Sequence, residues 1–251
     1  MQKHSHQTFR DWYQTHLGQL LAEAETECLN EVLPDLFGFH LLQIGAHGSA
    51  VLCEASRITH QIHLECDAPQ KTAGIYAHAS RLPFANESID VCVVSHSLEF
   101  DEDPHAILRE IDRVLIPEGH VVVLGFNPYS CWGVNRFLRT WRKQQPWQGQ
   151  FYGRARLKDW LSVLGFDCTY TNGLFFRPPI QHQKFMQKLA FMEKYIPAWL
   201  NFIAGVYVVV ARKRTSTLTP IGPRWRTQRK KIVNGGLVEP STRGIHCDRT
   251  R

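Results

Sequence analysis

Apolar positions recur at steps of three and four between residues 8 and 33, at Phe9, Trp12, Tyr13, Leu17, Leu20, Leu21, Ala24 and Leu29. That spacing gathers them on one face of an α-helix, so an amphipathic helix is expected there, ended by Pro34 and Gly38. Beyond it the pattern changes to short apolar runs. "HLLQIG" at 40–45 is closed by glycine and suits a buried strand; "HQIHLEC" at 60–66 is a weaker second and "GIYAHAS" at 74–80 a third. "SIDVCVVS" at 88–95 is a strong fourth strand and "HVVVLGF" at 120–126 a fifth. Between these two lies "DPHAILREIDRVL", a helix with Asp103 as N-cap, Pro104 at the first helical position and an apolar face of Ile107, Leu108, Ile111, Val114 and Leu115. "PEG" at 117–119 is read as the turn into the fifth strand.

Further on, "ARLKDWLSVLGF" reads as a helix, "DCTYT" as a strand, "QKFMQKLAFMEKYI" at 183–196 as an amphipathic helix and "AGVYVVVARKR" as a last strand. The stretch 127–153, rich in Trp, Arg and Gln without a clear period, reads as an insertion over the strand ends. Strands alternating with helices imply an α/β fold, a doubly wound and mostly parallel sheet with helices on both faces. The organisation expected is an N-terminal helical extension (1–39), a sheet-forming domain (40–213) and a basic, weakly ordered tail (214–251).

Charge sharpens that division. The formal net charge is +6, but 11 of the 29 Lys and Arg and 2 of the 23 acids lie from Arg212 onward, giving +9 there and −3 before it. The basicity belongs to the tail, which reads as a solvated end or as a weak contact for polyanions such as nucleic acid. With 43% hydrophobic and 21% charged residues the chain suits a globular domain and not a disordered one. No apolar run approaches the roughly 20 residues of a bilayer span, and no apolar signal core follows the N-terminus. The seven cysteines form no C-x-x-C pair, and several sit in strand-like apolar runs, as reduced cysteines do. A cytoplasmic location is the resulting expectation.

Two segments carry chemistry. Gly45-Ala46-His47-Gly48 follows the first strand, where a glycine turn brings backbone N–H groups close to a ligand. Twenty residues later Glu65 ends the second strand, where an acid accepts both ribose hydroxyls of a nucleoside. The interval also resembles that of a nicotinamide dinucleotide site, but such a motif wants glycines at 45, 47 and 50, and the chain has Gly45, His47 and Ala50.

The second segment spans residues 77–128. Its Leu82-Pro83-Phe84, Ile89-Asp90-Val91, Leu98, Asp103-Pro104, Leu108, Glu110, Arg113-Val114-Leu115, Pro117 and Gly119 form an ordered series. In it the chain resembles the class I S-adenosylmethionine-dependent methyltransferases of the type 11 group, with a degenerate glycine motif. The resemblance covers roughly residues 40–128. It implies a Rossmann-like seven-stranded sheet whose last strand, near Val206–Ala211, is antiparallel. It also implies S-adenosyl-L-methionine as cofactor, and a small-molecule or lipid-like methyl acceptor as partner. Carried over position by position, it places the cofactor against Gly45, His47, Gly48, Glu65, His78, Ala79, Leu82 and Ser95. Where the family usually reads "LDLGCGTG" this chain has Gln43 for the acid and His47 for the middle glycine, and the family's Asp of "GDA" is His78. Those departures leave open a second reading, a catalytically degenerate fold that binds a partner or nucleic acid.

Other candidates carry two readings each. His96 follows the fourth strand, where acceptor and methyl meet, and is either a general base or a locally bonded loop histidine. His60, His63, Glu65 and Asp67 are metal-ligating types, but they come from one segment and lack the closed geometry of a metal site, so no metal is assigned. Trp12 and Tyr13 are either a lid over the site or core aromatics. Asn127, Trp132 and Arg136 lie beside the expected substrate or simply pack.

Overall fold

The computed structural model describes residue 9 and residues 11–45, 50–65, 75–139, 148–179 and 198–214. Seven strands form one sheet: β1 (His40–Gly45), β2 (His60–Glu65), β3 (Ile75–Tyr76), β4 (Ile89–Ser95), β5 (Leu115–Phe126), β6 (Phe166–Leu174) and β7 (Val206–Lys213). Their spatial order is β3-β2-β1-β4-β5-β7-β6. The pairs among β1 to β5 are parallel, and β7 runs antiparallel to both β5 and β6. The chain thus has the seven-stranded Rossmann-like sheet expected, with its last strand reversed. Strand order changes direction between β1 and β4, and in such sheets ligands bind outside the carboxyl ends at that point.

The strands are apolar on both faces because both are covered. Leu42, Ile44, Cys92, Val94, Val121 and Val123 pack on one side with α3 (Pro104–Val114) and α5 (Arg154–Val163). Leu41, Val91, Val93, Val122 and Leu124 pack on the other with Cys28, Leu29 and Leu33 of the N-terminal region. Successive residues of each strand alternate between the two cores, the two-residue period of a strand. The thiols of Cys28, Cys53 and Cys92 are buried and unbridged; burial pushes the first two up to about 12 and Cys92 still higher.

Three local features differ from the periodicity. The helix expected over 8–33 is interrupted: α1 spans His16–Val32, capped by Thr15, whose hydroxyl accepts from Gly18 N at 3.2 Å and donates to Trp12 O at 2.7 Å. The apolar pattern runs through this break because both pieces present their apolar side chains to the protein interior. Strand β5 includes Pro117-Glu118-Gly119, with Glu118 at φ +65° and a register shift against β4 between Ile89 and Val91. The stretch after β5 contains a helix, α4 (Cys131–Arg139), where no period had been evident. The helix expected at 183–196, the residues beyond Arg214, Asp67, His47 and Gly48 lie outside the described residues.

Residues that carry the sequence resemblance largely build scaffold. Asp103 Oδ1 caps α3 by accepting from Ala106 N at 3.0 Å. Asp90 Oδ2 accepts from Phe39 N and His40 N, at 3.1 and 2.9 Å, and so secures the start of β1. A Cβ at Gly38 would lie 2.3 Å from Asp90 Cβ, so only glycine lets that approach happen. Arg113 donates to Leu82 O (3.1 Å), Phe84 O (2.9 Å) and Asn86 Oδ1 (2.7 Å) while pairing with Glu110, which itself accepts from Leu82 N at 3.0 Å. The loop over residues 82–86 is therefore pinned to α3 at four points. Those bonds hold the Pro104–Val114 side chains Glu110 and Arg113 in ionised form: the Arg113 hydrogen bond draws the Glu110 carboxyl down.

Candidate functional site

The carboxyl ends of β1, β2 and β4 come together at the switch point. Gly45 is in register with Ser95, and Glu65 sits one residue past the Ile44–Leu64 pair, so it lies alongside Gly45. Gly45 has φ +149°, and a Cβ there would lie 2.3 Å from Ser95 O. Only glycine combines that backbone with that approach. Glu65 is buried at 5% exposure, and it pairs in register with Tyr76 of β3. Ala79 and Leu82 are buried apolar residues in the loop that Arg113 pins, and Ser95 is fully buried. His78 is exposed; its Nδ1 meets Ser80 Oγ at 2.7 Å and its Nε2 lies 3.8 Å from Asp101. The structure thus brings Gly45, Glu65 and Ser95 to one edge, with His78, Ala79 and Leu82 in the loop after β3.

Gln43, the position of the family's usual acid, points into the protein. Its Oε1 accepts from Cys53 Sγ at 3.3 Å and faces His63 Nδ1 at 3.2 Å. Burial lowers the His63 pKa, the charge of Glu65 opposing it, and the ring nitrogen lies within hydrogen-bond reach of the amide oxygen. His60 instead faces His40, Nδ1 to Nδ1 at 2.7 Å, at the opposite ends of these strands.

The neighbouring ends of β4 and β5 are built differently. His96 adopts a left-handed conformation at φ +51° and is fully buried. Its Nε2 lies 2.7 Å from Glu25 Oε1, and its Nδ1 lies 3.4 Å from Glu99 Oε1. Glu25 comes from α1, Glu99 from the short helix α2 (Ser97–Phe100). Tyr13 donates its hydroxyl to Glu25 Oε2 at 3.2 Å, and Phe126 N donates to Glu99 Oε1 at 2.8 Å. The network ties the N-terminal helix, the end of β4 and the end of β5 into one buried polar unit. Burial disfavours the imidazolium, but the charge and hydrogen bond of Glu25, followed by those of Glu99, outweigh it and raise His96 to about 9. The ring therefore holds a proton at neutral pH, with both nitrogens turned toward carboxylates. Tyr13 is pushed well above its ordinary range, first by burial and then by Glu25.

Around this unit stands a group of rings. Phe9 lies 4.4 Å from Phe100, 5.7 Å from His96 and 6.0 Å from Phe126, centroid to centroid, and Phe126 stacks on Trp132 and Phe151. Trp12 and Tyr13 are buried in the same cluster, and Trp132 bonds Arg177 O at 2.9 Å. Asn127 donates to Phe202 O and Ala204 O, which fixes the chain entering β7, and Arg136 lies over the Phe151 ring. The pattern of residues alone did not disclose Glu25 or Glu99. Glu25 did leave a signal: it falls four residues from both Leu21 and Leu29, a charge on the apolar stripe.

Comparison with known proteins agrees with this architecture. The family described as a methyltransferase domain matches residues 41–123. The chain is 34% identical over 222 residues to the uncharacterized protein YafS of Escherichia coli, covering 88% of each. Its fold is similar to that of an S-adenosylmethionine-dependent methyltransferase from Thermotoga maritima, with a TM-score of 0.60 at 17% identity, covering 79% of this chain and 92% of that one. It is also similar to geranyl diphosphate C-methyltransferase of Streptomyces coelicolor A3(2), solved with Mg2+, geranyl diphosphate and S-adenosyl-L-homocysteine: TM-score 0.53, 15% identity, coverage 75% and 79%. Among the described residues no helix is long and apolar enough to cross a membrane. With the ordered series at 77–128, the reversed seventh strand and the switch-point edge of Gly45 and Glu65, the chain belongs to the class I S-adenosylmethionine-dependent methyltransferases.

Proposed function

We propose that this protein transfers the methyl group of S-adenosylmethionine to a small-molecule or lipid-like acceptor. The observation that carries the reading is the buried carboxyl of Glu65 beside Gly45, at the carboxyl ends of parallel strands where strand order reverses. These residues fit the cofactor. Glycine at 45 lets the end of β1 close on Ser95 of β4 and leaves backbone rather than side chain at that edge, and a carboxylate at Glu65 beside it is an acceptor for two hydroxyls. Bound there, S-adenosylmethionine supplies a methyl group already activated on sulfur, so the protein need not provide a metal or a strong acid. Gly45 would admit the cofactor's approach, Glu65 would hold the ribose diol, and Ala79 and Leu82 would give the base an apolar seat. His47 and Gly48 complete the proposed cofactor set, with His78 and Ser95 at its margins. The residues at the ends of β4 and β5 would align the acceptor and exclude water, which is where rate enhancement in such a transfer arises. His96 is proposed here as a positioning residue that carries its proton, since both ring nitrogens face carboxylates.

A second reading, a degenerate fold acting as a binding module, draws on Gln43, whose side chain is spent on Cys53 and His63. The contact between residues 214–251 and polyanions belongs with that reading. Calorimetry separates the two. S-adenosylmethionine and S-adenosylhomocysteine are expected to bind with micromolar affinity and NAD not at all. Glu65→Gln keeps the shape but loses the charge, and should weaken both by about tenfold to a hundredfold, or roughly 1.4–2.8 kcal/mol, with apo stability unchanged. No binding of any of the three to the wild-type chain would leave the binding-module reading.

A further inference from the structure

Glu99 carries the inference. It is 4% exposed, and its Oε1 is satisfied by Phe126 N and faces His96, but its Oε2 has no hydrogen-bond partner among the described residues. An unsatisfied carboxylate oxygen in the interior is costly, and proteins keep such atoms where a ligand completes them. The surroundings say what kind of ligand. Phe100, Phe126, Trp132, Phe151 and the His96 ring form the wall, and the polar groups of Glu25, His96 and Tyr13 are turned to one another. The ring that fills this wall belongs to Phe9, fully buried, from the segment that precedes α1 and is not part of the sheet. The Phe9 ring and the Glu99 carboxylate share His96 and Phe126 as neighbours.

We infer that the methyl acceptor is a flat, apolar or aromatic molecule bearing an O–H or N–H donor, which replaces the Phe9 ring and donates to Glu99 Oε2. Glu99 is then an acceptor-binding residue, and Glu25 and His96 position it by fixing α2 against β5. The aromatic wall sets the ring-shaped class, because stacking and burial are what such a wall offers. The lone open oxygen sets the donor, because a carboxylate is acceptor-only. An acceptor lacking a donor leaves Oε2 unsatisfied, which is how a polar site rejects an otherwise similar molecule. Phe9 acts as the plug that satisfies the wall when no acceptor is bound.

This inference rests on the methyl-transfer reading for the word acceptor, and its test is arranged so that the two fail separately. The probes are 2-naphthol and its methyl ether, 2-methoxynaphthalene, measured by equilibrium dialysis with and without saturating S-adenosylhomocysteine, whose own binding is followed by calorimetry. Phe9→Ala should bind both probes at least tenfold more tightly than the wild type, and should prefer 2-naphthol over the ether at least tenfold. Adding Glu99→Gln should reduce that preference to within about twofold, while Oε1 can still accept from Phe126 N. Phe9→Leu, which keeps apolar volume without a ring, should give a smaller gain of about threefold and stands in if Phe9→Ala unfolds. In the wild-type chain, saturating 2-naphthol should speed tryptic cleavage after Arg10 at least tenfold, a readout that needs no substitution. Unchanged probe affinity in the folded Phe9 variants, a preference that survives Glu99→Gln, or unchanged cleavage would each overturn the inference. Failure of S-adenosylhomocysteine to bind, with naphthol binding intact, would instead overturn the methyl-transfer reading.

Discussion

The two halves of the sheet's carboxyl edge solve different problems with different materials. On the proposed cofactor side, β1 and β2 contribute a glycine and a buried acid, with Gln43 and His63 bonded inward. On the proposed acceptor side, β4 and β5 end in a buried polar network wrapped in aromatic rings and joined to the N-terminal helix. A cofactor shared by a whole family needs little more than close backbone approach and one carboxylate for its ribose. An acceptor particular to one enzyme needs its own wall, and the proposed one draws on Phe9, Trp12 and Tyr13 from outside the sheet. Stability should therefore be concentrated on the acceptor side, where charge is buried, and ligand affinity on the cofactor side.

The largest expected effect breaks the acceptor side alone. Glu25→Ala leaves the His96 imidazolium buried beside Glu99 with its shortest partner gone. Removing one member of a buried pair costs about 3–5 kcal/mol, and the loss should appear in urea unfolding followed by Trp fluorescence. Glu65→Gln, on the other side, should leave the same curve unmoved. Equal losses from both variants would erase the contrast drawn above.

The pH dependence is next in size. His96 rises from its ordinary 6.5 to about 9 in the folded protein, so folding binds its proton more tightly. The associated stability is fully present below pH 6.5 and is lost as pH rises through about 9, roughly 3 kcal/mol in all. The unfolding free energy of the wild type should fall across that window, and that of His96→Gln should not. A flat wild-type profile between pH 6.5 and 9 would mean that the ring is neutral in the folded state.

How much of this was legible in the residues follows the range of the interactions. Strand and helix placements came from local period, and the capping of α3 from Asp103-Pro104, because those determinants act within a few residues. The break at Thr15 was hidden because the apolar pattern continues across it. Glu65 and Gly45 could be named because strand ends are fixed by topology. Glu25 and His96 meet across 71 positions of sequence, so nothing local pairs them. The charge at residue 25 on an apolar stripe was the one visible trace, and its partner became identifiable only when α1 lay against β4. His96 was recognised as important from its place after β4, but its protonation was not, since that depends on two carboxylates from separate helices.

The smallest expected effect concerns Arg113, which joins scaffold to site. Its guanidinium donates to two carbonyls and an amide oxygen of the 82–86 loop while also pairing with Glu110. A planar group with five donors can serve those directions together, whereas a lysine ammonium reaches one or two of them. Both partners are partly solvated, with 32% and 23% of their side chains exposed, so the ion pair itself is screened and the carbonyl contacts are what a lysine forfeits. Arg113→Lys should therefore cost about 1 kcal/mol in urea unfolding. The loop so loosened carries Leu82 and follows His78 and Ala79, so S-adenosylhomocysteine affinity should fall about threefold to tenfold, less than for Glu65→Gln, and the naphthol preference should stay as in the parent protein. A loss of affinity without any loss of stability would place Arg113 in the cofactor site itself. A shift in the naphthol preference would show that the two sides of the edge are coupled through α3, and the division between them would have to be redrawn.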